Sequence, residues 1–116
     1  MTDIEIAENS KKKKIITLAK ELGVEKNFES YGSDKGKIDF SKITTKEKGK
    51  LVLVTAISPT PYGEGKTTVS IGLNDGLRQL NKNSLAVLRE PSLGPVFGTK
   101  GGATGGGYAQ VIPMDD

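Results

Sequence analysis

"LVLVTAISPTPYGEGKTT", residues 51–68, decides how the rest of this chain is read. Its first seven residues are apolar or β-branched without interruption. A run of that kind, bounded by turn residues, suits a parallel strand buried on both faces. Pro59, Pro61, Gly63 and Gly65 then punctuate a loop. The loop ends Gly65-Lys66-Thr67, the close of the phosphate-binding signature G-x-x-x-x-G-K-[ST], with Thr60 where the first glycine of that signature stands.

Outward from the loop, residues 66–80 read as a helix, with Val69, Ile71, Leu73, Leu77 and Leu80 as its apolar positions. "SLAVL" (84–88) reads as a second short strand. Strand, loop, helix and strand within 40 residues make a βαβ unit, whose connection is right-handed by strong default. The predicted fold class is therefore α/β, a P-loop NTPase-like parallel sheet, present here as the N-terminal portion of a larger domain.

In that context the loop has a clear chemical use. Successive backbone N–H groups and a helix N-terminus converge on phosphate oxygens. The expected nucleotide cradle is Thr60, Pro61, Tyr62, Gly63, Glu64, Gly65, Lys66 and Thr67. Lys66 would set its ammonium on the β/γ-phosphates, and Thr67 would offer its hydroxyl to magnesium. Glu64 is assigned no chemistry of its own. The bland alternative is a glycine-containing loop with an exposed lysine, and the flanking strand and helix favour phosphate.

Beyond Arg89 the chain carries seven glycines between residues 94 and 107, interrupted by Val96 and Phe97 and followed by Tyr108, Val111 and Ile112. A surface loop and a backbone folded closely around a ligand both fit this composition. Its position after the second strand of the unit favours the ligand, because ligands sit beyond the carboxyl ends of such strands.

Composition excludes several function classes. With no cysteine and no histidine, disulfides, thiolate or imidazole metal sites and histidine general bases are all ruled out. Any metal must be a hard, oxygen-bound ion. The net charge of +3 is uneven, with 12 of the 17 basic residues in positions 1–50. Aromatics make up 5% of the chain, too few for a stacking platform, so no nucleic-acid partner is expected. The Lys11–Lys14 run reads as a solvated helix start. No stretch nears the roughly 20 apolar residues of a membrane span. The acidic "MTDIEIAENS" start is no signal peptide, so no membrane partner and a cytoplasmic location are expected.

Residues 1–50 read as an N-terminal helical or extended segment, and 51–116 as an incomplete P-loop nucleotide-binding domain. Within the first segment, residues 3–8 fit a short helix or an extended arm. Residues 12–22 fit a helix capped by Gly23, and 24–36 a loop. "IDFSKI" (38–43) is ambiguous between strand and helix.

The stretches "LVLVTAISPTPYGEGKTTVSIGL", "LREPSLGPVFGTKGGATGGGYAQVIPMDD" and "DIEIA" together resemble the start of formate–tetrahydrofolate ligase. That family's loop also reads Thr-Pro-x-Gly-Glu-Gly-Lys, so Thr60 is ordinary for it. The resemblance is strongest from Leu51 to Asp116 and implies an N-terminal fragment, because members of the family are several times longer. It implies ATP-dependent joining of formate to tetrahydrofolate through formyl phosphate, giving 10-formyltetrahydrofolate, ADP and phosphate. By that resemblance ATP and magnesium are the cofactors, Lys66 and Arg89 the catalytic residues and Thr67 the magnesium contact. Arg89 would grip formate or formyl phosphate, with Lys100 a lesser anion contact. The full-length protein is expected to be a homo-oligomer, and the 116 residues alone inactive. The alternatives are an inert phosphate-binding fragment and a partner-regulated P-loop ATPase. The latter calls for a signature lysine earlier in the loop, where Pro59 to Tyr62 offers none.

Overall fold

The computed structural model describes residues 1–44, 48–61, 63–89 and 105–113. It is a mixed helix and strand chain that divides into two compact units, Met1–Ser10 with Val52–Asp116, and Lys11–Leu51.

The first unit opens with helix α1 (Asp3–Asn9). Thr2 and Glu5 close a reciprocal capping box. The Glu5 N–H donates to Thr2 Oγ1 at 3.2 Å, and the Thr2 N–H donates to Glu5 Oε2 at 2.7 Å. Such a cap satisfies two amides that the first helical turn leaves unpaired, which lets a seven-residue helix start cleanly.

Helix α3 (Lys66–Gln79) is the longest element of the same unit. It ends where Asn81 takes a left-handed φ of 58° and the Lys82 N–H donates back to the Leu77 carbonyl at 3.0 Å. That closure satisfies late carbonyls of the helix. A hairpin of β3 (Gly105–Gly106) and β4 (Ala109–Gln110) lies against α3, with Gly105 opposite Gln110 and Gly106 opposite Ala109. Gly107, at φ 57°, supplies the positive φ that a two-residue hairpin turn favours. Ile71 of α3 and Ile6 of α1 are the buried apolar side chains among the unit's described residues.

In the second unit, helix α2 (Ile15–Leu22) precedes an antiparallel hairpin of β1 (Phe28–Tyr31) and β2 (Lys35–Ile38). Gly23 ends α2 in the left-handed region at φ 74°, and the Val24 N–H reaches the Ala19 carbonyl at 3.0 Å. The Ile15 N–H donates to the Ser33 carbonyl at 2.8 Å, and Lys12 pairs with Asp34 at 3.3 Å. Both contacts tie the start of α2 to the hairpin turn. Asp39 then caps a 3₁₀ turn, Phe40–Lys42, by accepting from the Ser41 N–H at 3.1 Å.

Two expectations need correction. Residues 24–36 are not a loop: they hold a 3₁₀ turn, β1 and the start of β2. The parallel sheet expected around Leu51–Ile57 and Ser84–Leu88 is not present among the described residues. Among the described residues the sheets are the two antiparallel hairpins, and both apolar runs carry no ladder. The physical reason is the absence of a partner. A parallel strand takes its hydrogen bonds from neighbours brought alongside by long crossovers, and among the described residues none lies alongside. The second run still shows strand-like burial, with Ser84, Ala86 and Leu88 half-buried and Leu85, Val87 and Arg89 exposed. Among the described residues no helix is long and apolar enough to cross a membrane.

Because Ile71 is 3% exposed, truncating it removes a contact that its neighbours cannot replace. Ile71→Ala should abolish most amide-exchange protection in α3. Phe40→Ala, at a side chain 84% exposed, should leave protection of its own unit unchanged. Similar losses in the two variants would contradict this placement of the core.

Candidate functional site

The loop between the first apolar run and α3 is held by its own backbone. The Gly63 N–H donates to the Thr60 carbonyl at 3.2 Å, closing a turn with Pro61 at its second position. The pyrrolidine ring fixes the φ such a turn needs there. The Thr60 hydroxyl donates to the Gly63 carbonyl at 2.8 Å, so Thr60 bonds to Gly63 from both its main chain and its side chain. A glycine at position 60 could not make the second bond.

Gly63 and Gly65 then adopt φ of 83° and 84°. Each reverses the chain through a region that side chains disfavour. Gly65 is the residue just before α3, and its carbonyl accepts the first helical bond, from the Val69 N–H at 2.9 Å. Lys66 and Thr67 consequently begin the helix, in the turn whose N–H groups have no intrahelical partner. The macrodipole adds positive potential at the same place. The Thr67 residue is half-buried, and its hydroxyl has no hydrogen-bond partner among the described residues.

Glu64 sits between the two glycines and faces inward, with its side chain 14% exposed. One carboxylate oxygen accepts from the Thr60 N–H at 3.2 Å. The other pairs with the Lys66 ammonium at 3.2 Å. Sequence reasoning placed Glu64 in the cradle, in reach of solvent or a cation, but gave it no chemistry. The available signal was its spacing of two from Lys66 across a glycine, a geometry that doubles the side chains back toward each other when that glycine is left-handed.

The structure thus brings Thr60, Gly63, Glu64, Gly65, Lys66 and Thr67 into one continuous bend, with Pro61 in its first turn. Tyr62 and Lys100 lie outside the described residues, as does the glycine-rich stretch up to residue 104. Arg89 ends the second apolar run in an exposed position, with no ion pair or hydrogen bond among the described residues. No group of three or more acidic residues that could hold a metal occurs among them either.

Comparison with known proteins bears on the origin of this loop. The family model for formate–tetrahydrofolate ligase matches residues 1–116. The chain belongs to the formate–tetrahydrofolate ligase family. Formate–tetrahydrofolate ligases of Staphylococcus aureus strains JH9, Newman and COL are each 57% identical over 118 aligned positions. Those alignments take in 100% of this chain and 21% of each ligase, so the chain spans about a fifth of the length of these relatives. Thr60, a departure from the general phosphate-loop signature, therefore sits in a ligase sequence.

A Cβ added at Gly65 would meet nothing within 4 Å, so a substitution there tests backbone conformation alone. In a full-length ligase carrying this chain, Gly65→Ala should destabilise the loop by about 1–2 kcal/mol, the cost of a left-handed residue with a side chain. Gly65→Asn should lose less, because asparagine tolerates that region. Thermal unfolding and nucleotide affinity measured together check the ranking; equal losses would show that φ is not the constraint.

Proposed function

We propose that this chain is the nucleotide-handling N-terminal part of an ATP-dependent ligase. On this reading the enzyme joins formate to tetrahydrofolate, giving 10-formyltetrahydrofolate, ADP and phosphate. The observation that carries the proposal is the bend from Thr60 to Thr67, inside a sequence that matches the ligase family along its whole length.

The chemistry divides among few residues. Formate is a poor nucleophile toward a polyanionic triphosphate, so the transferring phosphoryl group needs compensating charge. Lys66 supplies a mobile ammonium at the helix start, directed to the β/γ-phosphates. Gly63 and Gly65 let the backbone approach phosphate oxygens without Cβ clashes. The hydroxyl of Thr67, a half-buried residue, suits a magnesium ion held mainly by phosphate oxygens and water, since that ion accepts one or two protein ligands in such sites. Bound there, magnesium would neutralise developing charge on the phosphates.

Arg89 is the candidate for the formate end. Its planar guanidinium can fork onto a carboxylate, and then onto formyl phosphate once formate oxygen has displaced ADP from the γ-phosphorus. The folate N10 amine attacks the formyl carbon, and inorganic phosphate leaves. In the intact ligase, Leu51–Ile57 and Ser84–Leu88 would be neighbouring members of a parallel sheet completed by later sequence. The 116 residues alone would then be inactive.

Two substitutions in a full-length ligase test these assignments. Lys66→Ala should lower kcat/KM on the order of 10²–10³-fold while the thermal midpoint barely moves. Ligase activity at the unsubstituted level would remove Lys66 from the mechanism.

Arg89→Lys retains charge but not the fork. Steady-state kinetics should show a raised KM for formate and slower phosphoryl transfer in single turnover, with ATP affinity little changed. Equal weakening toward both substrates would assign Arg89 a structural role instead.

A further inference from the structure

The Lys66 ammonium is already engaged in this structure. Glu64 holds it at 3.2 Å, and the same carboxylate is anchored on its other oxygen by the Thr60 N–H. The pair is asymmetric in exposure: the Glu64 side chain is 14% exposed and that of Lys66 47%. The carboxylate is therefore the fixed, inward partner, and the ammonium the mobile, wetter one. A carboxylate that receives a backbone N–H and a lysine ammonium within a glycine bend is receiving what such bends offer to a phosphate.

We propose that Glu64 is an internal competitor for Lys66, a positioning residue that occupies the ammonium until a polyphosphate displaces it. This rests on the phosphate-binding reading given above. The physical consequence is selectivity by charge. A carboxylate and a phosphate oxygen on the same ammonium repel each other, so the incoming anion must outbid a local monoanion held at high effective concentration. A polyphosphate with several negative charges can do so. Small monoanions gain too little, and Lys66 is kept from idle occupation by them. The hold must also be weak enough to yield, and a partly exposed ion pair meets that condition.

Glu64→Gln isolates the effect. Glutamine can still accept the Thr60 N–H through its amide oxygen, so the bend is retained, but it has no charge to place on Lys66. In a full-length ligase carrying this chain, calorimetric titration with pyrophosphate and with ADP should show the Glu64→Gln variant binding about two- to fivefold tighter at low ionic strength. The gain should shrink as salt is raised. In a Lys66→Ala background the same Glu64→Gln change should give no gain, because its effect runs through the ammonium. A gain that persists without Lys66 would show simple field repulsion and overturn the proposal. Unchanged or weaker binding by Glu64→Gln, with Lys66→Ala still impaired, would overturn the proposal and leave the phosphate site standing. If Lys66→Ala binds both anions normally, the phosphate-binding reading fails and this inference fails with it.

Discussion

Helix α3 and the Gly105–Gln110 hairpin meet closely where Gly105, which carries no side chain, passes Ile71. A Cβ on Gly105 would lie 3.2 Å from Ile71 Cδ1 and closer still to the Ala109 carbonyl oxygen, whereas one on Gly72 would make ordinary contact with the Ala109 Cβ at 4.0 Å. Ile71 is buried beneath that contact. The N-terminal helix grips the same hairpin. Asp3 Oδ1 accepts from the Gly107 N–H at 3.0 Å, and Gln110 Nε2 donates to the Asp3 carbonyl at 3.0 Å. Residues 104 and 107 positions apart in sequence are thereby joined, so Met1–Ser10 fold with the second half of the chain. The helix that presents Lys66 and Thr67 is held from a surface remote in sequence from the loop it serves.

That anchorage matters because the loop itself is built from weak terms. Its turn rests on two contacts between Thr60 and Gly63, and its exit on two left-handed glycines. Each such contact contributes about 1 kcal/mol. With α3 fixed from below, those terms are spent on direction rather than on holding the helix. Direction is what phosphate chemistry requires, since an ammonium or amide misplaced by an ångström loses most of its value in a transition state.

Much of this was legible in sequence where local chemistry dominates. Helix α3 was read as residues 66–80 and spans Lys66–Gln79, because the glycine before it and the apolar spacing within it are local signals. Gly23 as the cap of α2 was legible for the same reason. The β1–β2 hairpin was not. Its strands, "FESY" and "KGKI", are exposed at nearly every position, so no apolar alternation marked them. Pairing is set by register, with Phe28 opposite Ile38, and by a ring that shelters Gly36 diagonally across the hairpin, neither of which a one-dimensional pattern displays. The parallel sheet failed in the opposite way. The apolar pattern of Leu51–Ile57 was strong, yet a pattern states only that a strand would be buried and cannot supply the neighbour that buries it. In the candidate site the residue types were legible, while the inward turn of Glu64 depended on φ values that sequence does not print.

Two further features show where the first unit expects company. Leu53, Ile57 and Val87 are more than four-fifths exposed, although they belong to the most apolar runs in the chain. Asn74 Oδ1 and Gln110 Oε1 are buried acceptors without a hydrogen-bond partner among the described residues. Each unpaired acceptor costs about 1–3 kcal/mol. Leu53 and Ile57 precede the loop, and Asn74 lies on α3, which follows it. The second run is fastened to α3 at its start, where Ser84 Oγ donates to the Asn74 carbonyl at 3.4 Å and Arg78 to the Ser84 carbonyl at 3.3 Å. From there the run carries Leu85, Val87 and Arg89 outward together. If the proposed sheet covers the apolar pair, the same register sets Arg89 at the carboxyl end of a strand, beside the loop end of the neighbouring run. On the function proposed above, burial of Leu85 and Val87 and delivery of Arg89 toward the loop would then be a single event, and ordering of this edge would accompany assembly of the proposed formate site.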